Sequence, residues 1–324
     1  MRILFVHNAL RSFVLTDREI LASRHEIDEL DLSDPRRIVT LPGRLQRADL
    51  VYSWFAGLHA LGPTLGAALL RKRSIVLVGG YDTARLPEIG YGHMGHPLKR
   101  HTVRSICRLA TALITFSHAA AREVRRNVGR IAPLHVIYQG FEVDLAPSLV
   151  ERSPIVLSVG NISRESLKRK GHDVFIRAAA QLPEAEFILV GQEYDDAGTY
   201  LRSIAPPNAR LAGFLSRGEL QALLRRSSVY VQASAHEGFG CALAEAMAAG
   251  CLPVVSTAGS LPEVAGTHGV RIETVDAGSV AKAVRVALSR PVVERVAAAE
   301  SIRERFSLQR RRDELLDLVT TIAR

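Results

Sequence analysis

Residues 234–255 read SAHEGFGCALAEAMAAGCLPVV. The apolar run Val229–Gln232 leads into this stretch and Leu252–Val255 closes it, so the pattern predicts strand, glycine-rich loop, short helix and strand. Gly238 and Gly240 have no side chains, so backbone N–H groups at the start of the helix can approach a ligand closely. A helix N-terminus favours an anion, and a diphosphate fits that description. Ala242 to Ala249 is rich in strong helix formers, and Gly250 followed by Pro253 supplies the stop. Glu237 lies in the loop and Glu245 on the helix. If residues 237–245 rise as helix, the carboxylates stand roughly 12 Å apart along the axis. A diphosphate joining two sugars is of about that length, which leaves one carboxylate for a transferred sugar and the other for a ribose. The plain alternative is an ordinary strand–turn–helix with solvated glutamates.

The same alternation runs along the whole chain. Strands are expected at Ile3–Val6, Leu50–Ser53, Ser74–Val78, Ala112–Phe116 and His135–Ile137, then at Ile155–Val159, Glu186–Val190, Ala209–Leu211, Val229–Gln232 and Leu252–Val255. Helices are expected at Leu58–Arg71, His101–Ala110, His118–Arg126, Asp173–Gln181, Arg217–Arg226, Ala277–Ser289 and Pro291–Glu304. Short apolar strands separated by helices indicate an α/β chain of two Rossmann-like, doubly wound parallel sheets. The stretch Pro147 to Pro154 reads as a linker, giving domains over 1–150 and 151–305. Ser307 suits the N-cap of a last helix near Leu308 to Ala323, within a terminal segment 306–324. Ligands in such folds sit outside the carboxyl ends of the strands, here in an expected cleft between the two domains.

At 324 residues with 47% hydrophobic content the chain supports two cores. Cys107, Cys241 and Cys251 form no C-x-x-C pair and no even set, which points to a reducing cytoplasm. Cys241, at the helix start, reads as a small packing side chain. No run approaches the roughly 20 apolar residues of a spanning helix, and Met1–Val6 reads as a first buried strand. The net charge of +9 is uneven, with 20 Lys+Arg against 13 Asp+Glu in residues 1–150 and 22 against 20 in the remainder. Arg100, Arg104 and Arg108 recur at helical spacing, and Arg122, Arg125, Arg126 and Arg130 follow. Such a face suits an anionic membrane or a charged acceptor, and equally a solvated helix surface. Nucleic acid is not expected, because no stacking aromatics interleave the basic stretches.

The Glu237–Glu245 segment resembles the E-x7-E signature of family 4 glycosyltransferases, retaining enzymes of GT-B architecture. The likeness extends through Ser256–Gly266 and upstream to Val159-Gly160-Asn161-Ile162-Ser163-Arg164 and Leu167-Lys168-Arg169-Lys170-Gly171. It implies that Glu237 contacts donor-sugar hydroxyls, Glu245 the ribose and Lys170 the diphosphate. Gly160, Asn161, Lys168, Gly238, Phe239 and Gly240 complete the implied donor site. Many members carry an arginine where this chain has Asn161, and Arg164 or Lys168 is the candidate replacement for its charge. Lys168 and Lys170 are two of only five lysines. The resemblance further implies a last helix that returns to the first domain.

The first half says less. Gly79-Gly80-Tyr81-Asp82 follows a strand, and Gly80, Tyr81 and Asp82 are the acceptor-side candidates, with an Asx-turn as the competing role for Asp82. Trp54 and His59 suit either an acceptor pocket or the core. Ser117 suits a helix cap. His93, His96 and His101 lack acidic or cysteine partners at ligand spacing, so a glycine-rich loop is expected rather than a metal site. Asp195-Asp196 lacks the D-x-D spacing of metal-dependent transferases. The expectation is a retaining hexosyltransferase with no cofactor beyond its donor substrate, a nucleoside diphosphate sugar, with catalytic roles for Glu237, Lys170 and Arg164. It is expected in the cytoplasm, with a peripheral position on the inner face of the membrane as an alternative. A nucleotide-sugar epimerase and a silent sugar-nucleotide binder are the alternatives.

Overall fold

The computed structural model describes residues 1–142 and 152–323. Within them the chain divides into two units, Met1–Gly140 with Leu308–Arg324, and Phe141–Ser307.

The first unit is built on β1 (Arg2–His7), β2 (Glu26–Asp31), β3 (Leu50–Trp54), β4 (Arg73–Leu77), β5 (Ala112–Thr115) and β6 (Leu134–Val136), all parallel, in the order β2-β1-β3-β4-β5-β6. All five residues of β3 are buried, which explains a run without polar alternation: helices cover both faces. β2 was not expected. Its sequence Glu-Ile-Asp-Glu-Leu-Asp buries only Leu30, and the charges sit on an edge strand where they discourage further pairing. The helix expected to start at His101 begins at Pro97, where a missing N–H costs nothing.

The last helix, Leu308–Ala323, packs in this first unit through a buried ion pair. Arg311 Nε and Nη2 donate to the two oxygens of Asp17 at 2.7 and 2.8 Å, and Nη1 donates to the Tyr138 carbonyl at 2.7 Å. The Tyr52 hydroxyl donates to Asp17 at 2.7 Å, so every charge in the cluster has partners.

The second unit repeats the plan with β7 (Ile155–Val159), β8 (Glu186–Val190), β9 (Ala209–Gly213), β10 (Val229–Gln232), β11 (Leu252–Ser256) and β12 (Val270–Ile272), all parallel, in the order β12-β11-β10-β7-β8-β9. Phe175, Phe187, Leu189, Val229 and Val254 are among the side chains that fill its core. The second unexpected strand, β12, is again an edge strand, three residues long.

Phe141 opens the second unit because its amide donates to the Phe306 carbonyl at 2.9 Å and its ring stacks on Phe239. That is earlier than the boundary expected at 150. Residues 147–151 of the expected linker lie outside the described residues, as do Val143 and Asp144. Among the described residues no helix is long and apolar enough to cross a membrane.

Candidate functional site

Strand order locates the site. From β7 the second sheet grows through β8 and β9 on one side and through β10, β11 and β12 on the other, so its topological switch point lies between β7 and β10. Loops leaving the carboxyl ends of two such strands diverge and leave a crevice where ligands bind. Gly160-Asn161 leaves β7 there, and residues 233–240 leave β10.

The loop after β7 is held by backbone hydrogen bonds, Gly160 N–H to the Val190 carbonyl and Ile162 N–H to Gln192, both at 2.9 Å. Ser163 and Ser166 then cap each other's amides, at 3.1 and 2.8 Å, and start the helix Arg164–Lys170. Gly171 ends it at φ +68°, and a Cβ there would stand 2.6 Å from the Ala233 carbonyl oxygen, so only glycine lets the two loops approach. The Ala235 amide donates to the Arg169 carbonyl at 2.7 Å.

This clasp brings Lys170 Nζ to 2.5 Å from Glu237 Oε1, with side-chain exposures of 16% and 13%. Ser234 Oγ donates to the same oxygen at 2.9 Å. Burial by itself would raise the Glu237 carboxyl, but the Lys170 ammonium, the Arg169 charge and the Ser234 hydroxyl outweigh it and hold the group below its ordinary value. The Glu237 backbone is clamped from β11: its carbonyl accepts from the Ser260 amide and hydroxyl, both at 3.1 Å. Gly259, at φ +56°, is the other requirement, since a Cβ there would meet the Glu237 carbonyl oxygen at 2.3 Å.

As expected, Glu237 lies in the loop and Glu245 on the helix that follows it. Gly240 adopts φ +95° and the helix runs Cys241–Ala248, so the separation reckoned for continuous helix does not apply. Glu245 lies one turn in, half-buried, and makes no hydrogen bond or ion pair among the described residues. Burial raises its carboxyl above the ordinary value, and Arg217 offsets this only in part.

Several expected contacts turn out otherwise. Phe239 is 4% exposed and packs between Phe141 and Phe306, so its ring belongs to the core. Arg164 gives both ends of its guanidinium to Asp196, at 2.8 and 2.6 Å, and its amide to Asp195, which engages it at the exposed end of its helix away from Lys170. Lys168 is exposed. In the first unit, Asp82 is buried and accepts from the amides of Gly80, Thr83, Gly79 and Ala56 at 2.9 to 3.3 Å. Its carboxylate is consumed by the turn, and of the acceptor-side trio Tyr81 alone presents a part-exposed side chain, edge-on to Tyr91 and His93. Trp54 belongs to the core, stacked on Phe116 beside Phe13, and His59 bonds to the Trp54 carbonyl. Ser117 caps its helix by accepting from the Ala120 amide. Among the described residues no group of three His, Cys, Asp or Glu is arranged to hold a metal ion.

Residues 153–290 match the family of glycosyl transferases group 1. The matched segment contains Lys170, Glu237 and Glu245. Two relatives share the name GDP-mannose:cellobiosyl-diphosphopolyprenol alpha-mannosyltransferase. The one from Xanthomonas oryzae pv. oryzae is 35% identical over 79 residues, 23% of this chain and 21% of that protein. The one from Xanthomonas campestris is 30% identical over 135 residues, 39% of this chain and 36% of that protein. The matches thus span about a third or less of those relatives' length. Anabaena Alr3699/HepE, crystallised with UDP and glucose, superposes with a TM-score of 0.80 at 17% identity, over 99% of this chain and all of that one. The architecture expected from the sequence, two parallel-sheet α/β domains of GT-B type, is the one observed.

Sequence reasoning passed over Ser234, Ser260, Gly259 and His172. Gly259 and Ser260 lay in a recognised loop, but their use is long-range: Gly259 packs on the Glu237 backbone, and the Ser260 hydroxyl donates to the Glu237 and Phe239 carbonyls across 23 and 21 positions.

Proposed function

We propose that the chain is a retaining glycosyltransferase that moves a hexosyl group from a nucleoside diphosphate sugar to an acceptor hydroxyl. The observation that carries this reading is the Lys170–Glu237 pair at the switch point of the second sheet, with the unpaired Glu245 on the helix beyond. A cation suits the diphosphate, one carboxylate suits sugar hydroxyls and the other a ribose. The group 1 match supports the reading because it spans all three. The relatives' names make GDP-mannose the first donor to test, and the HepE complex makes UDP-glucose the second.

In the proposed reaction the bond between the anomeric carbon and the diphosphate oxygen breaks, and its electron pair stays on that oxygen. The acceptor oxygen bonds to the anomeric carbon from the same face, and its proton passes to the departing diphosphate. Lys170 and the amides of residues 238–240 stabilise the charge that develops there. Glu237 orients the sugar by accepting from its hydroxyls, a charge-assisted contact that a neutral amide would weaken. Lys168 is the remaining candidate for the charge that Asn161 lacks.

The exposed arginines Arg108, Arg122, Arg125, Arg126 and Arg130, with Leu98 at 81% exposure on the helix Pro97–Leu109, suit an anionic lipid surface. We propose on that basis that the protein binds peripherally to the inner face of the membrane. Sedimentation with phosphatidylglycerol vesicles that is lost at high salt is the expected result.

Incubation with GDP-mannose, UDP-glucose and ADP-glucose and an acceptor panel, read by mass spectrometry, tests the function. Transfer with retained anomeric configuration is expected. Isomerised donor without acceptor would indicate an epimerase, and binding without turnover a silent sugar-nucleotide protein.

A further inference from the structure

Two buried polar groups beside the site have no task in the reaction as written. His172 is 1% exposed, and neither of its ring nitrogens has a hydrogen-bond partner among the described residues. Gln232 Oε1 is in the same condition on a side chain 3% exposed. Both lie against glycines of the loops that flank the switch point. A Cβ on Gly160 would stand 3.1 Å from His172 Nε2 and 3.6 Å from Lys170 Cδ; a Cβ on Gly240 would stand 3.9 Å from Gln232 Oε1.

The room that a side chain at 160 would need is therefore shared by the edge of the His172 ring and the stem of the lysine assigned to the diphosphate. An unpaired buried nitrogen weakens the folded state, and such groups concentrate where a ligand completes them. The packing gives no hydrogen-bonding reason for an imidazole here, because no group among the described residues uses either ring nitrogen.

We propose that His172 is a residue of the diphosphate subsite, donating a ring N–H to a phosphate oxygen that Lys170 also contacts. This rests on the function proposed above. Burial, then the charges of Lys170 and Arg169, push the imidazole down to about 3, so it is neutral at physiological pH. A neutral donor adds a directed hydrogen bond without competing with Lys170 for Glu237. It also adds no second fixed charge to hold the diphosphate after transfer.

The test uses the full chain with UDP and GDP as probes, pairing calorimetry with thermal melts. His172→Phe keeps a planar aromatic ring and removes both nitrogens; His172→Gln keeps a side-chain N–H. The Phe variant is expected to melt at or above the wild-type temperature. It should bind the nucleotide about tenfold or more weakly, and Gln should recover part of that loss. A Phe variant with undiminished affinity, whatever its melting temperature, assigns His172 to packing and overturns the proposal. Ring 15N signals of His172 in the wild type give a reading that needs no variant. They must shift when nucleotide is added, and unmoved signals under saturation overturn the proposal. A wild type that binds neither nucleotide overturns the proposed function and this inference together, whereas binding that ignores His172 overturns this inference alone.

Discussion

Lys170 and Glu237 are 67 positions apart in sequence, yet Lys170 Nζ stands 2.5 Å from Glu237 Oε1. The lysine ends a helix that Gly171 turns against the Ala233 carbonyl, and the glutamate follows the strand that this carbonyl leaves. In the free protein each charge satisfies the other. In the proposed reaction each has a separate partner, so donor binding redistributes an existing pair instead of desolvating two lone charges.

Lys170→Met is expected to lower stability at pH 7 by about 2 kcal/mol, less than the 3–5 typical of a fully buried pair broken on one side. The Glu237 carboxyl lies below its ordinary 4.5. A depressed acid contributes stability above its unfolded pKa and loses it as pH falls through the folded value. Thermal melts of the wild type should therefore drop from about pH 4.5 downward through this contribution. The variant should drop less steeply over the same interval, and identical acid slopes would remove the ion pair from the account.

Glu245 carries the opposite sign. Its carboxyl is raised, mainly by burial, so it weakens the folded state as pH climbs from 4.5 through the raised value. Glu245→Gln should accordingly melt above the wild type at pH 7 and equal it near pH 4. The same variant should bind nucleoside diphosphate about ten- to a hundredfold more weakly, if the carboxylate holds a ribose. Unchanged affinity in calorimetry would take Glu245 out of the nucleotide site.

Asp82→Asn leaves one carbonyl oxygen where two oxygens accept four amides. Loss of stability by about 1–3 kcal/mol is expected. Denaturant midpoints should show it, and nucleotide affinity should stay level. A stable variant with impaired transfer would restore Asp82 as an acceptor contact.

Arg311→Met strands the Asp17 carboxylate, which is 0% exposed, and should cost about 3–5 kcal/mol. Asp17→Asn with Arg311→Met should recover a large part of that. A double variant no more stable than Arg311→Met would show that packing of the helix, not the ion pair, holds Leu308–Ala323 in the first unit.

Eight of the ten expected strands lie inside their sheets, where cover on both faces shows in sequence as apolar runs without alternation: Leu50–Trp54 and Ile155–Val159 are examples, whereas the other two, Leu134–Val136 and Ala209–Gly213, are less buried edge strands. The two that escaped notice, Glu26–Asp31 and Val270–Ile272, are edge strands. An edge position relaxes the demand for apolar residues, so the local signal fades just where pairing with a neighbour supplies the reason to be a strand.

The sequence by itself determined the α/β class, the two-sheet plan, and the loop chemistry that makes Glu237, Glu245 and Lys170 candidates, because periodicity, glycines and helix stops are local physics. Tertiary structure alone decided which candidate charges meet. Arg164 pairs with Asp196 and Lys170 with Glu237, although both cations lie on one short helix, since the end of the helix nearest each partner is set by where β8 and β10 deliver their loops. Tertiary structure also decided that Phe239 and Trp54 are core and that Asp82 is a turn anchor. It left His172 beneath Gly160 with no hydrogen-bond partner among the described residues. Side-chain identity states what a group can do, and only packing across distant segments determines what is left for it to do it to.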